Sequence, residues 1–165
     1  GQDCYHGYDN INNIPQAMGL SFSVPDQVTI PPSLQNIYKE IYSDLNKTEK
    51  YSNGDLTTWA NQGILLLNCA LTVKEGKPSS HIKIWENITN NIIENISNEL
   101  EGVIFLLWGN YSKSKKKFIN QSKHFILEAN HPSPLSANRG GWFGCKHFSR
   151  VNEILVSNGK DEIDW

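Results

Sequence analysis

Asp3, Asn68 and His131 are the side chains of this sequence whose types could carry chemistry as a group. Aspartate and histidine are residue types that acid–base catalysis uses, and the amide of asparagine both accepts and donates hydrogen bonds. Taken singly, each has an ordinary explanation, because Asp3 could be a turn residue and His131 a histidine at a strand end. Whether they form a site depends on the elements that position them.

Helical and strand-like patterns alternate along the chain. Apolar residues at helical spacing predict helices, and compact apolar runs predict strands. The predicted helices cover residues 33–45, 57–62, 84–100, 112–122 and 146–157, and the predicted strands cover residues 64–67, 103–108 and 125–129. This alternation is typical of an α/β fold, so we predict a parallel or mostly parallel central sheet flanked by helices.

Asn68, Gly109 and His131 each lie just beyond a predicted strand. In open parallel sheets, ligands bind beyond the carboxyl ends of the strands, where loops and helix N-termini converge. We therefore predict that these three positions share one cleft, although each could simply end its strand. No strand-like run precedes Asp3, so either the sequence begins inside a domain or another element supports Asp3.

Composition excludes several classes of protein. The 165 residues, 38% of them hydrophobic and 19% charged, are enough for one domain with a buried core. The longest uncharged apolar run, residues 63–67, is too short to span a membrane. Cys4, Cys69 and Cys145 match no zinc or iron–sulfur spacing, which favours reduced thiols in an intracellular compartment and argues against a metal.

The charges are unevenly distributed. The net charge is −2, but residues 103–150 carry +7, which leaves −9 for the remainder. A concentration of this kind can make one face of the molecule a footprint for phosphates, although a solvated lysine-rich helix explains it equally well. The eight cations are Lys113, Lys115, Lys116, Lys117, Lys123, Arg139, Lys146 and Arg150.

Several short motifs resemble, in content and order, those of the family 1 uracil-DNA glycosylases. They are GQDCYHG at residues 1–7, GLSFSV at 19–24, PPSL at 31–34, LLLN at 65–68 and HPSPLS at 131–136. The resemblance continues through WANQG at 59–63, FLLWG at 105–109, FGC at 143–145 and IDW at 163–165, so it covers essentially the whole chain.

This resemblance implies an α/β fold with a central, mostly parallel four-stranded sheet flanked by helices, and we expect that its first strand could lie outside this chain. Residues 1–165 would form a single catalytic domain that lacks its N-terminal portion. The implied function is DNA repair: the enzyme flips uracil out of DNA and hydrolyses the N-glycosidic bond, which leaves an abasic site. No cofactor and no metal is implied.

The resemblance assigns the catalytic roles. Asp3 would orient the attacking water and oppose positive charge on the sugar, and His131 would donate a hydrogen bond to uracil O2 from a neutral imidazole. Gln2 would act mainly through its main chain, as part of the backbone amides that face the uracil oxygens.

The resemblance also assigns recognition of the base. The amide of Asn68 can accept from uracil N3–H and donate to O4, whereas cytosine reverses this pattern. Tyr5 would stand where the methyl group of thymine would lie. Phe22 would stack on the flipped base, although a core phenylalanine is the alternative explanation.

The implied DNA contacts come from loops. Leu135 would fill the gap that the flipped nucleotide leaves, unless it is a buried loop residue, and Ser33 and Ser133 would hold phosphates. Ser33 is also predicted to cap its helix. The remaining implied DNA-binding positions are Gly109, Asn110, Ser136 and Arg139.

The chain departs from the family at Cys4, which replaces a proline, and at Asn110, where many members have serine. Two rival interpretations stay open: a catalytically weak homologue that acts as a DNA-binding or polymerase accessory factor, and an unrelated nucleoside hydrolase or amidohydrolase. The expected partners are single- or double-stranded DNA containing uracil and a proteinaceous inhibitor that mimics DNA. We expect a monomer without membrane contact in the nucleus, mitochondrion or cytoplasm, with a viral source also open.

Overall fold

The computed structural model describes residues 1–11 and 13–165. Its helices are α1 (Pro32–Leu45), α2 (Thr57–Ala60), α3 (Ile82–Glu99), α4 (Asn110–Lys113), α5 (Pro134–Ala137) and α6 (His147–Ser157), and a 3₁₀ helix covers Ser114–Phe118. Its strands are β1 (Ile104–Trp108) and β2 (Phe125–Ala129). Within the described part of the chain, no helix is both long and apolar enough to cross a bilayer.

The two strands form a parallel pair with helices packed around them. Their register runs from Ile104 opposite Phe125 to Trp108 opposite Ala129. A single parallel bridge, Asp3 with Ala70, lies apart from this pair. The α/β class with a parallel sheet flanked by helices is therefore confirmed, but the described residues form two strands rather than the expected four.

The predicted strand over residues 64–67 is not formed as a strand. The Leu66 carbonyl accepts a hydrogen bond from the Ser21 amide at 2.9 Å, and the Leu67 carbonyl accepts one from the Gly1 amino group at 2.9 Å. These bonds go to irregular segments instead of a neighbouring strand. The apolar run is only partly buried, since Leu65 is 62% exposed, and its hydrogen-bond partners do not make a ladder.

Helix α1 begins one residue earlier than its apolar spacing predicts. Pro31 is the N-cap and Pro32 occupies the first turn, so the prediction that Ser33 caps this helix is wrong. The physical reason is that Pro32 has no N–H to satisfy and its fixed φ already suits a helix start. The inner face of α1, including the fully buried Leu34 and Ile41, packs into the core.

The buried side chains described for helix α3 are polar rather than apolar. Ile84 and Ile88 are exposed, whereas Thr89 and Ser97 are buried. The Thr89 hydroxyl donates to the Cys69 carbonyl at 2.9 Å, and the Ser97 hydroxyl accepts from the backbone amide of Asn120 at 2.8 Å. The first bond ties α3 to the segment that follows Asn68, and the second ties it to the loop that leads into β2.

Candidate active site

Asp3 has two carboxylate oxygens in different environments. Oδ2 accepts hydrogen bonds from the backbone N–H of Ser79 at 3.0 Å and from Nε2 of Gln2 at 3.1 Å. Oδ1 is buried and has no hydrogen-bond partner among the described residues. The carboxylate is thus held through Oδ2, while Oδ1 keeps an acceptor that no described residue uses.

The Gln2 side chain connects Asp3 to a distant loop. Its Nε2 also donates to the hydroxyl of Ser79 at 2.8 Å. The resemblance assigned Gln2 a role mainly through its main chain, and it gave no role to Ser79. No spacing in the sequence relates Ser79 to Asp3, because 76 positions separate them.

His131 is held in one tautomer. Its Nδ1 accepts a hydrogen bond from the backbone N–H of Ser133 at 3.1 Å, so Nδ1 carries no proton and the ring proton sits on Nε2. Burial lowers the pKa of His131 to about 4, so the imidazole is neutral at physiological pH. A neutral ring with an Nε2–H is the donor that the resemblance implies.

Gly109 lets the ends of the two strands approach each other. Its φ is +89°, and its amide donates to the Ala129 carbonyl at 2.9 Å. A Cβ at this position would lie 3.1 Å from Cβ of His131. Any side chain here would therefore push against the histidine, which explains why this strand ends in glycine.

Phe22 links the aromatic residues of the site. Its ring centroid lies 5.7 Å from that of His131 and 5.8 Å from that of Trp108. Its φ of +67° is unusual for a bulky residue, and the Tyr5 hydroxyl donates to its carbonyl at 3.2 Å. Burial raises the pKa of the Tyr5 hydroxyl, which therefore stays protonated and keeps this bond.

Asn68 is buried, and its amide orientation is fixed by a neighbour. The hydroxyl of Ser21, which is 2% exposed, donates to Oδ1 of Asn68 at 2.8 Å. A Cβ at Gly1 would overlap the same oxygen. Sequence reasoning missed Ser21, although it lies in the GLSFSV motif immediately before Phe22.

Backbone hydrogen bonds and ring contacts join these residues into one constellation. The Cys69 amide donates to the Gly1 carbonyl at 3.0 Å and the Ala70 amide donates to the Gln2 carbonyl at 2.8 Å, which places the segment of Asp3 beside that of Asn68. Phe22 contacts both Tyr5 and His131. The structure thus brings together the residues that the resemblance assigns to catalysis and to base recognition.

A cleft of about 380 Å³ adjoins this constellation on the side of His131. Leu135 is 82% exposed at its edge, which contradicts the alternative that it is a buried loop residue. The cleft is lined by Gly109, Asn110, Asn130, His131, Leu135, Ser136 and Arg139. The lining thus includes five of the seven positions that the resemblance assigns to DNA binding.

The other two DNA-binding positions lie at helix starts. Ser133 is the N-cap of α5, and Ser33 lies in the first turn of α1. Nδ2 of Asn36, one turn further along α1, donates to the Pro132 carbonyl at 2.8 Å. This bond fixes the start of α1 against the loop that contains His131 and Ser133.

Asn130, which sequence reasoning missed, joins three parts of the cleft wall. Its backbone N–H donates to the Gly141 carbonyl at 2.8 Å, and its side-chain Nδ2 donates to the Gly140 carbonyl at 2.9 Å. Its Oδ1 accepts from Nζ of Lys113 at 3.4 Å. Asn130 therefore braces the loop that carries Leu135 and its neighbours against α4 and the end of β2.

The cation-rich stretch over residues 103–150 offers fewer unpaired positive charges than its sequence suggests. The Lys115 side chain is only 4% exposed, and its Nζ lies 3.1 Å from Glu86 Oε1 and 4.4 Å from the centroid of the Tyr111 ring. The predicted single helix over 112–122 is instead α4 followed by the 3₁₀ helix, which turns Lys115 inward. Three of the eight cations form ion pairs: Lys115 with Glu86, Lys116 with Glu128 and Arg150 with Glu153.

Metal-binding side chains do not cluster in the described residues. Across 1–11 and 13–165, no three His, Cys, Asp or Glu side chains are grouped in a way that could hold an ion.

Comparisons with known proteins identify the family. The model of the uracil DNA glycosylase superfamily matches residues 7–156. A uracil-DNA glycosylase of Campylobacter lari is 57% identical over 166 residues, which cover 100% of this chain and 69% of the relative. One of Christiangramia forsetii is 56% identical and is covered to 72%.

Solved structures agree with the sequence relatives. The crystal structure of mimivirus uracil-DNA glycosylase superposes with a TM-score of 0.94 at 30% identity. This comparison covers 100% of this chain and 65% of the mimivirus chain. A variant of the mimivirus protein in complex with UGI gives the same TM-score of 0.94 and is covered to 66%. The chain therefore belongs to the uracil-DNA glycosylase superfamily, the DNA-repair hydrolases that excise uracil.

Proposed function

We propose that Asp3 and His131 hydrolyse the bond between deoxyribose C1′ and uracil N1 in a nucleotide flipped out of DNA. The observation that carries this assignment is the hydrogen bond from the Ser133 amide to Nδ1 of His131. It leaves the ring proton on Nε2 and so makes the neutral imidazole a donor for uracil O2. Donors that are already in place when charge develops contribute most to such reactions.

The two residues meet the two charges that the reaction creates. As the C1′–N1 bond breaks, its electron pair leaves with uracil, and positive charge builds on the sugar. The Asp3 carboxylate opposes that positive charge, and its Oδ1 accepts a hydrogen bond from the attacking water. The water oxygen bonds to C1′ and its proton passes to the carboxylate, while uracil leaves as an anion that His131 stabilises.

Base selection rests on three neighbouring side chains. The Asn68 amide offers an acceptor for N3–H and a donor for O4 of uracil, and the Ser21 hydroxyl keeps it in place. Tyr5 excludes the methyl group of thymine. The Phe22 ring provides the surface on which the base stacks. The Tyr5 hydroxyl holds Phe22 in place by donating a hydrogen bond to the Phe22 carbonyl.

DNA binding is assigned to the cleft and its rim. The exposed Leu135 fills the gap in the stack, and Arg139, Ser33 and Ser133 contact the backbone. The complex of a related mimivirus protein with UGI supports the expectation of a proteinaceous inhibitor that competes for this surface. We further propose that the protein acts as an intracellular monomer, because its substrate is DNA and its three cysteines form no disulfide.

The test is release of free uracil from an oligonucleotide that contains one uracil. The protein should release it, and Asp3→Asn should lower the single-turnover rate by about 10²–10⁴-fold while the oligonucleotide still binds. The exposed Asp26→Asn variant is the matched control and should keep the full rate.

The same assay separates the rival functions. Binding without any release would indicate a DNA-binding accessory factor. Release from free deoxyuridine at the rate seen with DNA would indicate a nucleoside hydrolase. Either result would overturn the proposal.

A further inference from the structure

We propose that Ser79 is a positioning residue for Asp3, acting through its backbone amide and through its hydroxyl by way of the Gln2 side chain. This inference rests on the proposed function, because it gives Ser79 a role only if Asp3 is catalytic. It adds a residue outside the motifs that carry the family resemblance, and it gives the Gln2 side chain a purpose besides its main-chain contacts.

Three hydrogen bonds form a closed triangle around Oδ2 of Asp3. The Ser79 amide donates to Oδ2 at 3.0 Å, Nε2 of Gln2 donates to Oδ2 at 3.1 Å, and the same Nε2 donates to the Ser79 hydroxyl at 2.8 Å. A carboxylate rotates easily about its last side-chain bond. Two donors on one oxygen restrict that rotation, so the unpartnered Oδ1 keeps a defined place.

Ser79 can do this because its own loop is tightly closed. The Lys77 amide donates to the Lys74 carbonyl at 3.0 Å, and the Lys74 amide donates to the Ser80 hydroxyl at 2.8 Å. The Ile82 amide at the start of α3 donates to the Ser79 carbonyl at 3.3 Å. The loop is therefore fixed on both sides of Ser79.

The backbone of Ser79 is strained. Its φ is +67°, a conformation that side chains other than glycine, asparagine and aspartate adopt rarely. Strain of this kind persists where the surrounding structure enforces it, and it is typical of functional sites. Here its result is an amide aimed at a carboxylate that lies 76 positions earlier in the chain.

The primary experiment measures single-turnover uracil release and oligonucleotide binding for Ser79→Ala. This variant removes the hydroxyl that fixes Gln2, so the rate should fall about 10-fold while the Kd for a duplex with a non-cleavable uracil analogue stays the same. Ser52→Ala, at an exposed site, is the matched control and should keep the wild-type rate. A weaker Kd with an unchanged rate would overturn the inference.

A rescue variant separates positioning from loss of the fold. Ser79→Asn restores a hydrogen-bond acceptor and tolerates a positive φ, so it should recover most of the rate that Ser79→Ala loses. Gln2→Leu should lower the rate as Ser79→Ala does, and the double variant should be no slower than the slower single one, because both remove the same contact. Fully multiplicative losses in the double variant would contradict the shared contact.

The Asp3→Asn background decides whether Ser79 acts through Asp3. In that background Ser79→Ala should cause no further loss of rate, whereas an equal 10-fold loss in both backgrounds would overturn the inference. Failure of the proposed function looks different. If Asp3→Asn itself kept the wild-type rate, the catalytic assignment would be wrong, but if only Ser79→Ala kept it, the positioning role alone would be wrong.

Discussion

The backbone N–H of Ser133 lies 3.1 Å from Nδ1 of His131 and donates a hydrogen bond to it. Two residues of one loop thereby fix the protonation pattern of the ring, because an Nδ1 that accepts a bond cannot also carry a proton. Burial acts in the same direction by disfavouring the charged imidazolium. The loop that carries the exposed Leu135 thus also fixes which nitrogen of His131 donates.

We expect the His131 imidazole to remain neutral down to about pH 4, the value to which burial lowers its pKa. Because the folded pKa lies below that of a free histidine, protonation of this ring occurs only under acidic conditions, and folding stability falls as the pH drops from about 6.5 towards 4. Nitrogen NMR of labelled protein, assigned with a His131→Gln variant, should show a proton on Nε2 at pH 7. A midpoint near 6.5, or a proton on Nδ1, would refute this.

We expect Leu135→Ala to impair excision from duplex DNA by about 10-fold and excision from single strands by less than about 2-fold. The reason is that only a duplex leaves a gap in the stack and an orphaned partner base, and the Leu135 side chain is 82% exposed and able to enter it. Single-turnover rates on matched single- and double-stranded substrates measure the difference. Equal losses on both substrates would remove the wedge role.

We expect Asn130→Ala to slow excision from duplex DNA by about 3- to 10-fold, because alanine replaces neither of the two hydrogen bonds of the Asn130 side chain. Asn130 donates to the Gly140 carbonyl and accepts from Lys113, so its loss releases the loop that carries Leu135 from α4. Asn138→Ala, at an exposed position of the same loop, is the control and should have the wild-type rate. Identical rates for the two variants would show that the brace is dispensable.

Local patterns predicted where most helices and two of the strands lie, because apolar spacing and compact apolar runs are local signals, but they did not predict which face of α3 is buried. The strand β2 has the predicted bounds, and α6 differs by one residue from its predicted range. The run over 64–67 was predicted as a strand and is not one, because a strand needs a neighbour in register and no local pattern supplies it.

The site was predicted to the extent that its residues lie in contiguous motifs. Ser79, Ser21 and Asn130 escaped prediction because each acts through one hydrogen bond or a few to residues distant in sequence. Lys115 was misjudged for the same reason, since its partner Glu86 lies on α3. Contacts of this kind exist only after the chain has folded.

We expect Glu40→Gln to reduce the free energy of unfolding by about 2–3 kcal/mol, the cost of leaving a buried donor without its charged acceptor. The Glu40 carboxylate is 1% exposed and accepts from the Gly144 amide at 2.7 Å and from the Lys146 amide at 3.0 Å. It thereby holds Lys146 at its φ of +54°, where α6 begins. Urea unfolding should show a shift of the midpoint for this variant, while the exposed Glu49→Gln stays within about 0.5 kcal/mol of wild type.

Tyr5 has two separable roles, and two substitutions distinguish them. Its ring is the proposed barrier to the methyl group of thymine, and its hydroxyl holds the strained Phe22 through a 3.2 Å bond to the carbonyl. Tyr5→Phe keeps the ring and loses the bond, whereas Tyr5→Ala loses both. We therefore expect Tyr5→Phe to excise uracil about 3- to 10-fold more slowly without acting on thymine, since one hydrogen bond is lost and the space stays filled.

Tyr5→Ala should excise thymine as well as uracil, because a pocket that gains room for a methyl group has no other means of rejecting it. Cytosine should remain excluded, since Asn68 and its Ser21 partner are untouched and still present the wrong hydrogen-bond pattern to that base. The assay is release of free base from oligonucleotides with a single uracil, thymine or cytosine target. If Tyr5→Phe excised thymine as fast as Tyr5→Ala, Phe22 placement rather than the ring of Tyr5 would exclude the methyl group, and the barrier would have to be assigned to Phe22.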